Sequence, residues 1–433
     1  MQLQMSVSML KRFNLVFLLM LVGLEVFAQA DVYSPYSVFG VGQVVDKSMN
    51  VKLKGMGDVA NAMYGGGLIN AGNPASYAKI DSLAFLFDAG FYMKTSRFST
   101  TALSEQSSNA SFDHVFMSFG LTQWWKMALG VQPYSMQEYN MIVNSSDPEV
   151  GNYATAFQGS GGLNQAVIGN AFKLGKHFSI GANVNYVFGD TESLTTLYFP
   201  DSLYKISARR GVDLMVSSFK FDYGLLYTTQ IGKDYGLSVG VTYDQSVKLR
   251  GKQTQFFRTI AGDIGTSSEY FIDTIVDTTF NSKLTMPQGF GVGVMFQKNN
   301  RWSIAADFDW MQWSRFARGE DVPGSLSDAW RVTVGGEYTP VHTSISNYFR
   351  RITYRAGGFY EHTYMNLRGH TLKKMGISFG ASMPFPKSLS KVNVALEAGR
   401  CGTKEDGLVQ EGYLKLDVGV SLFEHWFMKR KYK

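Results

Sequence analysis

Two stretches of the chain carry the spacing of a serine nucleophile: Gly236-Leu237-Ser238-Val239-Gly240 and Gly376-Ile377-Ser378-Phe379-Gly380. In a working nucleophile elbow, a sharp turn between a strand and a helix lifts the hydroxyl toward a histidine base. Here both stretches lie inside runs of alternating apolar and polar residues, so the elbow's helix has no place to start. Gly55-Met56-Gly57-Asp58-Val59-Ala60 approaches a dinucleotide fingerprint but follows no strand of a βαβ unit. The six histidines, His114, His177, His342, His362, His370 and His425, show no ligand spacing. Cys401 is the single cysteine, which excludes an intramolecular disulfide and a cysteine-rich metal site. The residue types that do chemistry therefore imply no enzyme, no metal and no cofactor. A hydrolase whose triad converges only in space is the alternative that sequence leaves open.

What positions these residues is a repeated strand pattern. The 433 residues include 45 Gly and are 14% aromatic and 18% charged, a balance that leans away from an ordinary soluble enzyme. Hydrophobic residues make up 45%, yet mean hydropathy is −0.09, so apolar residues are interleaved with polar ones. Repeated membrane-spanning helices need apolar runs of about 20 residues and are excluded. Phe178, Ile180, Ala182, Val184, Tyr186 and Phe188 alternate with Ser179, Gly181, Asn183 and Asn185, and Leu414 to Leu422 repeats the pattern. Every second side chain of a strand faces the same side, so each segment has one apolar face. About 14 such segments follow residue 80, beginning near Leu83, Asp113, Trp125, Leu163, Phe178, Phe219, Tyr235, Gly289, Arg301, Ala329, Thr353, Leu372, Lys391 and Tyr413.

The connections alternate between long and short, as in an outer-membrane barrel with loops on one rim and tight turns on the other. A soluble sandwich has no reason to segregate loop lengths. The expected fold class is thus all-β, a transmembrane antiparallel β-barrel spanning residues 81–427. Its polar faces, including Asp307, Asp309, Arg331, Glu337, Arg355, Glu361, Glu397, Lys415 and Asp417, meet in the lumen as a network of mixed sign. All seven tryptophans fall near strand ends, where interfacial aromatic girdles sit. At the N-terminus, Lys11 and Arg12, the apolar run Phe13 to Phe27 and Ala28-Gln29-Ala30 read as a cleaved signal peptide, residues 1–30, and export to the outer membrane of a Gram-negative cell. The net charge of +6 without a basic block excludes nucleic acid as a partner. Residues 31–80 lack strand alternation and are rich in Gly, Ala and Asn, which suits an N-terminal hatch folded into the lumen, with a short helix from Asp58 to Tyr64. A periplasmic tail is the competing reading of that segment.

At this point the residues resemble a family. Gly55-Met56-Gly57, Ile69-Asn70 and Asn73-Pro74-Ala75-Ser76 look like the hatch of the outer-membrane long-chain fatty-acid transport proteins. Far downstream, Trp310-Met311-Gln312-Trp313-Ser314-Arg315-Phe316 resembles that family's Trp-x-x-Trp-Ser-x-Phe stretch, followed by similar later strands. The resemblance implies a plugged 14-strand barrel that passes long-chain fatty acids or other hydrophobic compounds by passive diffusion, with the bilayer and such a compound as its partners. It implies ligand binding at Ile69, Asn70, Asn73 and Pro74 of the hatch. It also implies first capture by the loops after the fifth and seventh strands, at Leu194, Leu197, Tyr198 and Phe199 and at Phe256, Phe257, Ile260 and Phe271. The basic tail, residues 428–433, departs from the family pattern. It leaves room for a periplasmic or membrane protein partner and for a second reading, a non-transport barrel subunit of a secretion or assembly complex.

Overall fold

The computed structural model describes residues 34–425, apart from residues 46, 48–49, 66, 83, 202–205, 263, 265, 299–300, 319–325, 345 and 387. The expected signal peptide, the basic tail and Trp426 lie outside the described residues. In chain order the strands are β1 (Gln43–Val44), β2 (Ala84–Ser99), β3 (Ser104–Phe119), β4 (Trp125–Met136), β5 (Tyr139–Asp147), β6 (Gly151–Leu174), β7 (Phe178–Tyr198), β8 (Ser207–Ile231) and β9 (Tyr235–Asp244). They continue with β10 (Val247–Ala261), β11 (Tyr270–Met286), β12 (Gly289–Lys298), β13 (Trp302–Met311), β14 (Ala317–Arg318), β15 (Ala329–Tyr338), β16 (Thr353–Leu367), β17 (His370–Pro384), β18 (Lys391–Cys401) and β19 (Gln410–His425).

Fourteen of these close one antiparallel ring, in the order β2, β3, β4, β6, β7, β8, β9, β12, β13, β15, β16, β17, β18 and β19. The last strand returns to the first over its full length, from Gln410 opposite Ser99 to His425 opposite Ala84. Closure satisfies the backbone groups that hydrocarbon cannot. The alternation read from sequence sets the two faces. On β13, Ile304 and Phe308 are 57% and 49% exposed on the outer face, while Ser303, Ala305 and Asp307 are buried toward the inside. An outer wall of exposed Val, Ile and Phe around a polar interior is the arrangement a bilayer stabilises, since water would favour the reverse.

Several strands begin earlier than their apolar pattern does. β3, β6 and β8 start at Ser104, Gly151 and Ser207, in place of Asp113, Leu163 and Phe219. The connections expected there as long loops are continuations of the sheet: β4 breaks and resumes as β5, β9 resumes as β10, and β10–β11 form a tall hairpin beside β8. Beyond the lipid zone both faces of a strand meet water or neighbouring protein, so pairing persists after alternation has lapsed. Residues 100–103 and 148–150 turn at this tall rim, whereas residues 120–124, 175–177 and 232–234 turn tightly at the other.

The segment of residues 50–80 packs on the inward faces of the strands. Its helix α1 (Val51–Lys54) starts at Asn50, whose side chain accepts the Lys52 N–H at 3.0 Å. The helix expected from Asp58 to Tyr64 is absent, because Asp58 has φ of 74°, which no right-handed helix accommodates. A 3-10 turn, Pro74–Lys79, lies against β6, β7 and β8, and α1 lies against β17, β18 and β19. Leu53, Met56, Val59 and Met63 bury themselves against Met295 and Ala305 of the wall. Tyr77, Ala78 and Ile80 do the same against Leu86, Phe116, Val167 and Phe423.

Candidate functional site in the barrel lumen

The glycine and serine motifs that looked catalytic are the points where the inner segment docks. Ser238 donates its hydroxyl proton to the Ala62 carbonyl at 2.8 Å, and Ser378 accepts the Gly57 N–H at 2.7 Å. A Cβ on Gly240 would lie 1.8 Å from the Asn61 carbonyl oxygen, and one on Gly380 would lie 2.9 Å from the Gly55 Cα. Small residues on the wall thus let one backbone approach another, and neither serine has a histidine beside it among its hydrogen bonds.

Charge locks the segment in place. The buried Lys54 ammonium lies 2.5 Å from Asp113 and 3.0 Å from Asp417, carboxylates on β3 and β19. His114 bridges Asp113 at 3.0 Å and Asp88 at 2.6 Å, and Ser421 donates to Asp88 at 2.5 Å. On the opposite wall, Asp307 accepts the Ala60 and Asn61 N–H groups at 2.6 and 2.7 Å. Arg331 donates to the Gly57 carbonyl at 3.0 Å, and Arg355 pairs with Glu337 at 2.9 Å. The mixed-sign network expected from the strand faces is therefore present. Sequence alone does not separate Lys54 from Lys52, since both stand in the stretch Val51-Lys52-Leu53-Lys54-Gly55.

Above this segment is a cavity of about 220 Å³. One side is charged: Lys47 lies 3.5 Å from both Asp244 and Asp309, and Lys220 pairs with Asp222. The other side is apolar, with Tyr134, Trp313, Tyr364 and Met365 belonging to a buried cluster that also holds Tyr36, Val41 and Leu408. Trp313 and Tyr364 stack with ring centroids 4.2 Å apart. Trp313 is therefore part of the roof and not of the interfacial girdle. The strap of residues 34–45 completes the roof, where Gln43 and Val44 pair with β4 and the Tyr36 hydroxyl donates to the Val409 carbonyl. Burial pushes the Tyr36 phenol well above its usual range, so it remains a donor at any working pH. Gln132 and Gln165 face each other across β4 and β6 and line the cavity, and the Oε1 atoms of both are buried without a hydrogen-bond partner.

The residues expected to bind ligand in the hatch are buried around this cavity's floor. Asn70 donates to the Ala60 and Met63 carbonyls at 2.7 and 3.0 Å and accepts the Gly72 N–H at 3.1 Å. Asn73 donates to the Asn61 carbonyl at 2.5 Å and accepts the Ala75 N–H at 3.0 Å. Ile69 packs against Tyr77, and Pro74 opens the 3-10 turn. These four hold Ala71 and Gly72, which line the cavity themselves. The residues expected in capture loops sit mostly on strands of the tall rim. Leu194, Leu197 and Tyr198 are on β7, Phe256, Phe257 and Ile260 on β10, and Phe271 on β11, with Phe199 just beyond β7. Phe256 lies over Gly211, and the Arg258 guanidinium covers the Phe256 and Phe271 rings at 4.3 and 5.2 Å. Ile260 is buried, whereas Phe271 is 56% exposed.

Comparison with solved structures places this architecture. A Pseudomonas aeruginosa FadL homologue superposes with a TM-score of 0.59 at 15% identity, covering 89% of this chain and all of the other. The toluene transporter TodX of Pseudomonas putida gives a TM-score of 0.56 at 17% identity, covering 90% of this chain and 99% of its own. The Ralstonia pickettii toluene transporter TbuX gives 0.56 at 14% identity over 87% and 98%. At these identities the likeness establishes the fold alone, a barrel of the kind those proteins share. No curated protein matches the chain. A family model does: that of BamG matches residues 9–433, and the chain belongs to the BamG family.

Proposed function

We propose that the protein takes up hydrophobic or amphipathic compounds across the outer membrane by passive diffusion, with residues 31–80 as its hatch and long-chain fatty acids as the class that the sequence resemblance implies. The observation that carries this reading is the two-sided cavity, with an aromatic roof and two carboxamide oxygens left without partners. A buried acceptor without a partner costs about 1–3 kcal/mol, which a guest's donor, a hydroxyl or a carboxyl bound in its protonated form, would recover. An apolar tail would lie under Trp313, Tyr364 and Met365. At about 220 Å³ the cavity is smaller than the roughly 300 Å³ of the smallest drug-sized pockets, so it admits a small apolar molecule or the head end of a longer one. Capture begins at the partly exposed aromatic side chains of β7, β10 and β11, and passage requires Ala71 and Gly72 to move.

Displacement of a fluorescent fatty acid from the purified protein tests the reading. Gln165→Leu removes one polar anchor and is expected to weaken displacement about tenfold, while a strain lacking the gene loses uptake of labelled fatty acid. Unchanged uptake in a strain without paralogues counts against transport.

A second reading, a non-transport subunit of an outer-membrane secretion or assembly complex, is favoured by a different observation. Lys54 pins the inner segment to β3 and β19, and the strap of residues 34–45 packs into the buried cluster over the cavity, so both stand in the way of a path through the lumen. Gentle solubilisation separates the two: a stoichiometric protein partner supports the subunit, and a lone barrel supports transport.

A further inference from the structure

Between β15 and β16 the chain does not turn tightly. Residues 339–352 contain Arg350 and Arg351 and no Asp or Glu, and they carry a 3-10 turn, Tyr348–Arg351. The described residues of this loop are tied to one another: the Val341 N–H donates to the Arg350 carbonyl at 2.8 Å, and Asn347 caps the turn by accepting the Phe349 N–H at 3.0 Å. Its position is fixed by Tyr354, which faces outward between the buried Thr353 and Arg355 and donates its hydroxyl proton to the Phe349 carbonyl at 3.3 Å. Tyr348 in turn donates to the Pro384 carbonyl at 3.2 Å. The turn therefore folds over the outer, lipid-facing side of the tight-turn rim and not into the lumen.

There it exposes Phe349 at 70% beside Tyr348 and the outward-facing Tyr338 and Tyr354. The Arg351 guanidinium sits 5.0 Å from the Tyr348 ring, yet its Nε is buried and has no hydrogen-bond partner. Neither Arg350 nor Arg351 has a carboxylate partner among the described residues. An aromatic ring exposed at the edge of an apolar belt, next to two unpaired guanidiniums, fits the boundary between acyl chains and phosphates. Guanidinium binds phosphate through two parallel N–H donors, which the two terminal nitrogens of Arg351 still offer.

We propose that this turn is a lipid-binding site: Phe349 inserts among acyl chains while Arg350 and Arg351 hold the phosphate of an anionic phospholipid in the leaflet at the tight-turn rim. The site is separate from the lumen and does not depend on what the lumen passes. Full-length protein in mild detergent, titrated with phosphatidylglycerol or phosphatidylcholine and read by native mass spectrometry, tests it. The wild type is expected to retain phosphatidylglycerol in preference to phosphatidylcholine, with retention falling as salt rises. Each arginine near an anionic surface contributes about fivefold, so Arg350→Gln with Arg351→Gln lowers phosphatidylglycerol retention about 25-fold. Lys404→Gln at the opposite rim leaves it unchanged, and a heat-dependent shift on a denaturing gel verifies that each variant is folded. Equal retention by the folded double variant and the wild type overturns the proposal, as does equal binding of the two lipids. Retention of a protein in place of lipid at this turn overturns it as well.

Discussion

Lys54 is the residue that ties the inner segment to both ends of the sheet closure. Its ammonium is 2% exposed and meets carboxylates from β3 and β19, strands that flank β2 on either side. Removing one partner of a buried ion pair leaves the other charged and unsolvated, which costs about 3–5 kcal/mol. Lys54→Met is therefore expected to lower the urea midpoint of the refolded barrel by that equivalent, measured by tryptophan fluorescence. Lys52, two residues earlier on the same short helix and on its other side, behaves differently. Burial lowers its pKa from 10.5 to about 8, the partial compensation by Asp88 notwithstanding. Because the folded value lies below the unfolded one, the unfolded chain holds more protons between about pH 8 and 10, and stability rises with pH across that window. The urea midpoint of the wild type should gain on that of Lys52→Met as the pH is raised from 8 toward 10, and parallel midpoints would refute the shift.

At the scale of elements, strand and inner segment are fitted through glycine. Gly240 and Gly236 lie on the same strand, but an added Cβ meets different neighbours. At Gly240 it strikes the backbone of Asn61 at 1.8 Å, while at Gly236 it meets the end of the Gln297 side chain at 3.0 Å. Gly240→Ala must displace the inner segment, at a cost of about 1–3 kcal/mol, and should open residues 50–80 to limited trypsin digestion. Gly236→Ala should stay within about 0.5 kcal/mol of the wild type and resist digestion equally. The same strands show how far a pattern can be read. Starts near Phe178, Tyr235, Gly289, Thr353 and Lys391 are visible because lipid on one side and lumen on the other impose a period of two. The upper parts of β6, β8, β10 and β11 carry no such period, since both of their faces leave the bilayer, and they read as loops.

For the whole molecule the bilayer decides which side is apolar. On β13, Trp302 and Trp310 are eight residues apart, about 27 Å along the strand and about 21 Å in height at a tilt of about 40°, which fits within the roughly 25 Å apolar band of an outer-membrane barrel. Trp124, Trp125 and Phe172 stack outside at the tight-turn rim, and Trp330 stacks on His362 toward the tall rim. Trp313 is buried in the roof instead. In liposomes containing brominated lipid, a variant keeping only Trp302 should be quenched and one keeping only Trp313 should not. The reverse outcome would place the roof in the membrane.

The sequence by itself determined the barrel, its approximate strand number and the polarity of its two faces, because alternation is local and each strand records it independently. It also marked the glycines and serines of the lumen, though it offered them first as broken catalytic motifs. Only the tertiary structure decided that Ser238 and Ser378 bind the inner segment's backbone, that Lys54 finds Asp113 and Asp417, and that Gln132 and Gln165 face a cavity unpaired. The contacts of Lys54 alone join residues 59 and 363 positions apart. Which of the many polar lumen positions meet depends on the register and closure of the whole ring, and no local pattern encodes it.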